Sequence, residues 1–162
     1  GQSYGAEFFF KKRVGKFNGW IGYTLSWTTR SFAGIDNGNT FYARYDRRHD
    51  LSVVLIYNLN DHWTFGTVFV YGTGNAITIP TQRYIIEGDI VFDYGPRNGY
   101  RMPPYHRADV SVTYTCKRKT LGKKISYQNN WNFSVYNIYN RHNPYFIFFD
   151  TEGSVEIGRA HV

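Results

Sequence analysis

Between Phe17 and Arg30 the apolar residues keep to odd positions, Trp20 excepted. Phe17, Ile21, Tyr23, Leu25 and Trp27 fall on one side, with Asn18, Gly22, Thr24, Ser26, Thr28 and Arg30 on the other. A period of two marks a strand with one oily and one polar face. Ser3–Arg13 repeats it, Tyr4, Ala6, Phe8 and Phe10 alternating with Gly5, Glu7 and Phe9, and Val14-Gly15-Lys16 predicts a tight turn between the two. From Arg44 to Asn75 the pattern predicts a hairpin with strands of roughly a dozen residues. Leu51, Val53, Leu55 and Tyr57 line its first strand, Asn58-Leu59-Asn60-Asp61 breaks it, and Trp63, Phe65, Thr67, Phe69 and Tyr71 line the second. His106–Lys117 sets Ala108, Val110, Val112, Tyr114 and Cys116 against Arg107, Asp109, Ser111, Thr113 and Thr115. Trp131, Phe133, Val135 and Tyr139 then alternate with Asn130, Asn132, Ser134 and Asn140, Arg141–Pro144 turns the chain, and Tyr145–Phe149 begins another strand. The pattern amounts to about seven antiparallel strands.

The connections alternate in character. Those after residues 13, 58 and 116 are short or basic, and those after 30 and 74 are long. Gly74–Tyr105 is irregular, with Pro80, Pro96, Pro103 and Pro104, and its middle, Tyr84–Val91, predicts a short strand or ribbon. Ordinary strands run about 5–6 residues. Strands of about ten, oily on one face and flanked by aromatics, with short turns at one end and long loops at the other, describe a transmembrane up-and-down β-barrel. About seven strands do not close one, so the expectation is all-β and part of a barrel.

Composition sharpens this picture. Aromatics make up 20% of the 162 residues, with 15 Tyr, 13 Phe and 4 Trp, a β-rich usage. Mean hydropathy is −0.48 and no apolar run approaches a membrane helix, which leaves barrel strands open because they place apolar residues only at alternate positions. The single cysteine, Cys116, excludes an internal disulfide framework. The net charge of +7 is scattered apart from Lys11-Lys12-Arg13 and Lys117–Lys124, so no continuous basic face suggests nucleic acid. The chain opens on Gly1 rather than Met and no charged-then-apolar stretch follows, so the expectation is either a removed leader or a start inside a larger gene. Its tail, 154–162, departs from the pattern, and Glu156–Val162 reads as the translation of a sequencing adapter, outside the natural fold.

Four segments carry a family resemblance: Phe41–Val54 (FYARYDRRHDLSVV), Tyr71–Pro80 (YGTGNAITIP), Pro103–Tyr114 (PPYHRADVSVTY) and Trp131–Phe149 (WNFSVYNIYNRHNPYFIFF). Their order and spacing resemble the C-terminal barrel of TonB-dependent outer-membrane receptors of the kind common in Bacteroidetes, over residues 1–153. The resemblance implies part of a 22-stranded barrel, roughly strands 14 to 20, without plug, TonB box or signal peptide. It further implies an outer-membrane location and energised uptake of a nutrient such as a siderophore, glycan or peptide. The implied partners are outer-membrane lipid, the receptor's own plug, TonB through N-terminal parts, and a surface lipoprotein.

The densest charged cluster is Asp46-Arg47-Arg48-His49-Asp50. Alternation predicts Asp46, Arg48 and Asp50 on the polar, lumen face and Arg47 and His49 outward, at a rim where cross-strand pairing keeps charge out of lipid. With Arg107 and Asp109 they form the expected lumen and rim charge network. Ligand-contact candidates are loop residues: Tyr42, Tyr84, Tyr94, Tyr100 and Tyr105, whose rings offer flat area with a polar tip, and Arg44 beside them. Trp20 is expected on the lumen face, whereas Trp27, Trp63, Tyr71 and Tyr139 read as interfacial anchors. His49, His62, His106 and His142 lie on separate connections, no G-x-S-x-G elbow is present, and Gly72-Thr73-Gly74 lacks what a phosphate loop needs. Neither a catalytic site, nor a metal, nor a cofactor is therefore expected. Two rivals are a soluble, lectin-like β-sandwich, which needs shorter strands around a shared core, and an outer-membrane lipase or protease, which needs a Ser-His or Asp-His pair.

Overall fold

Alternating strands of this length pair along their edges, and here they do so in chain order. The computed structural model describes residues 1–121, 125–149 and 155–160. Its strands are β1 (Gln2–Lys12), β2 (Phe17–Arg30), β3 (Phe41–Tyr42), β4 (His49–Asn58), β5 (Trp63–Gly72), β6 (Ala76–Ile77), β7 (Pro80–Ile86), β8 (Asp89–Tyr94), β9 (Tyr100–Arg101), β10 (Tyr105–Thr115), β11 (Lys119–Leu121), β12 (Ile125–Tyr127), β13 (Asn130–Val135), β14 (Asn143–Phe149) and β15 (Val155–Ala160). The chain is all-β. Its main sheet runs β1-β2-β4-β5-β10-β13, every neighbour antiparallel, with β3 continuing beside β2.

The register decides which side chains share a face. Tyr4 lies opposite Trp27, Phe8 opposite Tyr23, Ile21 opposite Val53, Phe17 opposite Tyr57. Val53 faces Phe69, Phe69 faces Ala108, and Val112 lies between Phe65 and Phe133. Every pair joins apolar to apolar, so six strands pool their oily positions on one face. The opposite face collects Ser3, Glu7, Thr24, Ser26, Asp50, Ser52, Thr64, Asp109, Ser111, Thr113, Asn132 and Ser134, together with Trp20, Val54, Ile56, Val68 and Val70. A one-residue slip anywhere would exchange the two sets. At the β1–β2 turn Gly15 takes φ +96°. At Gly19, φ is +142° and a Cβ would lie 2.0 Å from the Val54 carbonyl, so only glycine lets β4 approach β2 there.

The aromatic residues close the oily face at both ends. At the short-turn end Phe17 stacks on Tyr57 at 4.4 Å and Trp63 meets Tyr114 at 4.8 Å. At the loop end Tyr4 stacks on Trp27 at 5.5 Å, and His106 lies between Tyr71 and Tyr139 at 6.4 and 5.6 Å. Among the described residues no second layer covers this face: Phe8 is 63% exposed, Phe17 60% and Phe133 67%. The buried apolar residues, Phe41, Ala43, Ala76 and Met102, lie instead in the two long loops.

Several expectations need correction. The hairpin strands β4 and β5 have 10 residues each, not a dozen. The strand expected through Tyr139 ends at Val135, because Asn137 and Asn140 adopt left-handed backbone (φ 51° and 50°). The irregular stretch after β5 contains a ribbon longer than Tyr84–Val91, β7 paired with β8 about a turn at Glu87-Gly88. The basic connection after Cys116 holds a small hairpin, β11–β12, whose residues 122–124 lie outside the described residues. The strand starting near Tyr145 does not extend the main sheet. Asn143 ties its start to His106, and β14 pairs with β15. The tail was expected to break the strand pattern, yet Val155–Ala160 is a strand; residues 150–154 and 161–162 lie outside the described residues.

Candidate functional site

Chemistry-bearing side chains gather at the loop end of the sheet. Between β3 and β4 the chain bulges: Thr29 faces Tyr42, whereas Leu25 faces His49, leaving residues 43–48 to fold into a turn closed by the Asp46 amide on the Ala43 carbonyl at 2.9 Å. The turn drives Asp46 inward, where it is 1% exposed. Its carboxylate accepts the Thr28 amide at 2.6 Å and the Arg101 guanidinium at 2.5 Å, and lies 3.5 Å from Arg48. Arg101 also donates to the carbonyls of Asp46 and Gly74. A buried carboxylate paired with two arginines and a backbone amide is a structural clamp, joining the 43–48 turn to the loop after β5.

The bulge also resets the expected faces. Arg48, expected on the polar face, lies over the rings of Trp27 (4.7 Å) and Tyr42 (5.6 Å), and so belongs to the aromatic rim. Arg47, expected outward, reaches Asp50 at 3.4 Å beside Gly72. Strand parity holds only from His49 onward: Asp50 is on the polar face, and His49 Nδ1 shares a 2.8 Å hydrogen bond with the Tyr23 hydroxyl on the oily face.

Arg107 and Asp109, two residues apart on β10, pair at 3.0 Å, and Asp109 also accepts the Asn137 amide at 2.9 Å. Among the described residues no ion pair joins them to Asp46, Arg48 or Asp50, so the expected single network is three separate groups. Two partners were not legible in the sequence. Arg101 lies 55 residues from Asp46. Asn143 is buried, and its amide both accepts the His106 N–H and donates to the His106 carbonyl, each at 3.0 Å. Tyr139, in the turn after β13, shares a 2.8 Å hydrogen bond with His106 Nδ1. Partial burial pushes its phenol above the usual value, with Asp109 and Tyr105 adding to the rise and Arg141 opposing it, so the hydroxyl stays protonated.

The ligand-contact candidates do not converge. Tyr84 and Tyr94 stand exposed on the β7–β8 ribbon, Tyr100 on β9, Tyr105 half-buried at the start of β10 and Tyr42 under Arg48 and Arg101. Only Arg44 lines the cavity of about 410 Å³ between the two long loops, with Arg30, Phe41, Arg97 and Asn98 among its neighbours. Trp20 is on the polar face as expected, against Phe9 at 5.9 Å. A second concavity of about 640 Å³ is lined chiefly by Phe17, Leu55, Phe65, Val112, Phe133 and Val135, so its surface is mostly apolar.

Among the described residues no group of three or more His, Cys, Asp or Glu side chains gathers as a metal site would require, and no helix is long and apolar enough to cross a membrane. Comparison of the chain with family models, with curated proteins and with solved structures returns no match.

Proposed function

We propose that this sheet is a segment of the wall of a transmembrane β-barrel in the outer membrane, of the TonB-dependent receptor type, with its long loops at the ligand mouth. One observation carries the reading. The register pools the apolar side chains of six strands on one uncovered face and brackets that face with aromatic rows at both ends. In water such a face is unfavourable by roughly 25 cal/mol for each Å² of apolar surface left wet. In lipid it is solvated, and aromatic rings favour the two interfaces. From Trp63 to Tyr71 the strand rises about 27 Å at ~3.4 Å per residue. At a barrel tilt of about 40° that is roughly 20 Å, close to the ~25 Å apolar band of an outer-membrane barrel.

The meander order supports an up-and-down barrel, in which the free edges of β1 and β13 pair with further strands. The partly apolar inner face, with Val54, Ile56, Val68 and Val70, suits a lumen filled by a plug better than an open water channel. A barrel of 22 strands, TonB coupling, a nutrient as cargo and a surface lipoprotein as partner follow from the sequence resemblance alone. A lectin-like sandwich would need a second sheet over Phe8, Phe65 and Phe133, and no described strand supplies one.

The polypeptide containing this chain, expressed in a Gram-negative host, should fractionate with the outer membrane and migrate differently on cold and boiled SDS gels. Its cargo uptake should cease when a protonophore collapses the inner-membrane gradient. Recovery as a soluble monomer would end the barrel reading, and uptake indifferent to the protonophore would end the TonB-coupled part of it.

A further inference from the structure

Seven arginines at the loop end fall into two contrasting sets, while Arg141 donates to the Pro104 carbonyl. Arg47, Arg48, Arg101 and Arg107 each reach a carboxylate. Arg30, Arg44 and Arg97 reach none among the described residues, and all three line the cavity of about 410 Å³ between the loop after β2 and the loop after β5. Among the described residues no carboxylate lines it with them. Like charges around one cleft repel one another and focus a positive potential there, which an anion relieves.

The cleft is also built. Phe41, 7% exposed, forms its floor with Phe32 beside it, ring centroids 6.3 Å apart. The Arg97 guanidinium lies over the Phe41 ring at 5.3 Å, which restrains its fork. Asn98 donates through its side chain to the Tyr42 carbonyl at 2.7 Å and through its amide to Thr78 Oγ1 at 2.9 Å. The segment bearing Arg97 is thereby pinned to the strand bearing Phe41, so a ligand would have less ordering to impose.

We propose that this cleft binds a small organic anion, its carboxylate or phosphate group held by Arg30, Arg44 and Arg97 and its flat or apolar part against Phe41 and Phe32. The volume lies within the range of small-molecule sites, about 300–1,000 Å³. The proposal names a ligand class for the loop mouth described above, and rests on that reading for the site's place in uptake.

Calorimetric titration of the purified chain, or of the longer polypeptide containing it, tests the cleft directly. The protein is taken in detergent micelles, or in buffer if it proves water-soluble. The probes are phthalate, 4-nitrophenyl phosphate and the neutral 4-nitrobenzyl alcohol. At least one anion should bind, more weakly as salt rises, while the alcohol should not. The two anions distinguish a carboxylate from a phosphate preference. Arg30→Gln, Arg44→Gln and Arg97→Gln should each weaken binding about tenfold or more, and Arg13→Gln, at the opposite end of the sheet, should leave it unchanged. Three results would overturn the proposal: equal binding of the alcohol, unchanged affinity in both Arg44→Gln and Arg97→Gln, or indifference to both anions in a protein that circular dichroism shows to be folded. Anion binding by a water-soluble monomer would keep the cleft and remove the membrane reading. A membrane-inserted protein that ignores both anions would do the reverse.

Discussion

Two buried polar residues, Asp46 and Asn143, hold the loop end together, each through hydrogen bonds to strand backbone. Asp46→Asn removes the charge facing Arg48 and Arg101. Breaking a buried pair on one side costs about 3–5 kcal/mol. Because both arginines keep roughly a quarter of their surface in solvent, the lower end applies, about 3 kcal/mol. Limited proteolysis should show the loop 31–48 cut faster in Asp46→Asn while the strands stay protected. Asn143→Ala removes the side-chain partner of both the amide and the carbonyl of His106. That should cost about 1–3 kcal/mol, read as a lower urea midpoint and faster amide exchange at His106. Neither partnership was legible in the chain, since nothing local in RYDRRHD points to Arg101, and an Asn before Pro144 reads only as a turn residue.

At the scale of elements, alternation succeeded where nothing interrupts it. The bounds of β2, Phe17–Arg30, are those its pattern predicts, because Gly15 stops the pattern before it and the polar loop after it. It failed where the backbone leaves the strand while the apolar count continues: Tyr139 and Asn140 keep the parity of β13 although Asn137 has already turned the chain. Parity was misleading for Arg47 and Arg48 for a related reason, since a bulge changes which face a residue takes without changing its number. Within intact strands the two faces should respond differently to charge. Val53→Arg, midway between the aromatic rows, should destabilise the protein by about 2–4 kcal/mol in lipid, whereas Ser134→Arg on the polar face should cost little. Urea unfolding from bilayers measures both. Equal, small effects would mean that the oily face does not meet lipid.

At the scale of the whole molecule, the question is what solvates the oily face. With both sheet edges and that face left open among the described residues, the isolated chain should aggregate in water and disperse in detergent. Depth-dependent tryptophan quenching by brominated lipids in reconstituted bilayers asks the question most directly. It uses variants that each keep a single tryptophan (Trp20, Trp27 or Trp63), and Phe69→Trp in a background without the others. Bromines near the headgroups should quench Trp27 and Trp63, and mid-chain bromines should quench the tryptophan at 69. Trp20, on the inner face, should escape both. If aqueous iodide quenched all four and brominated lipid none, the face would belong to water or to another protein, and the membrane wall would have to be abandoned.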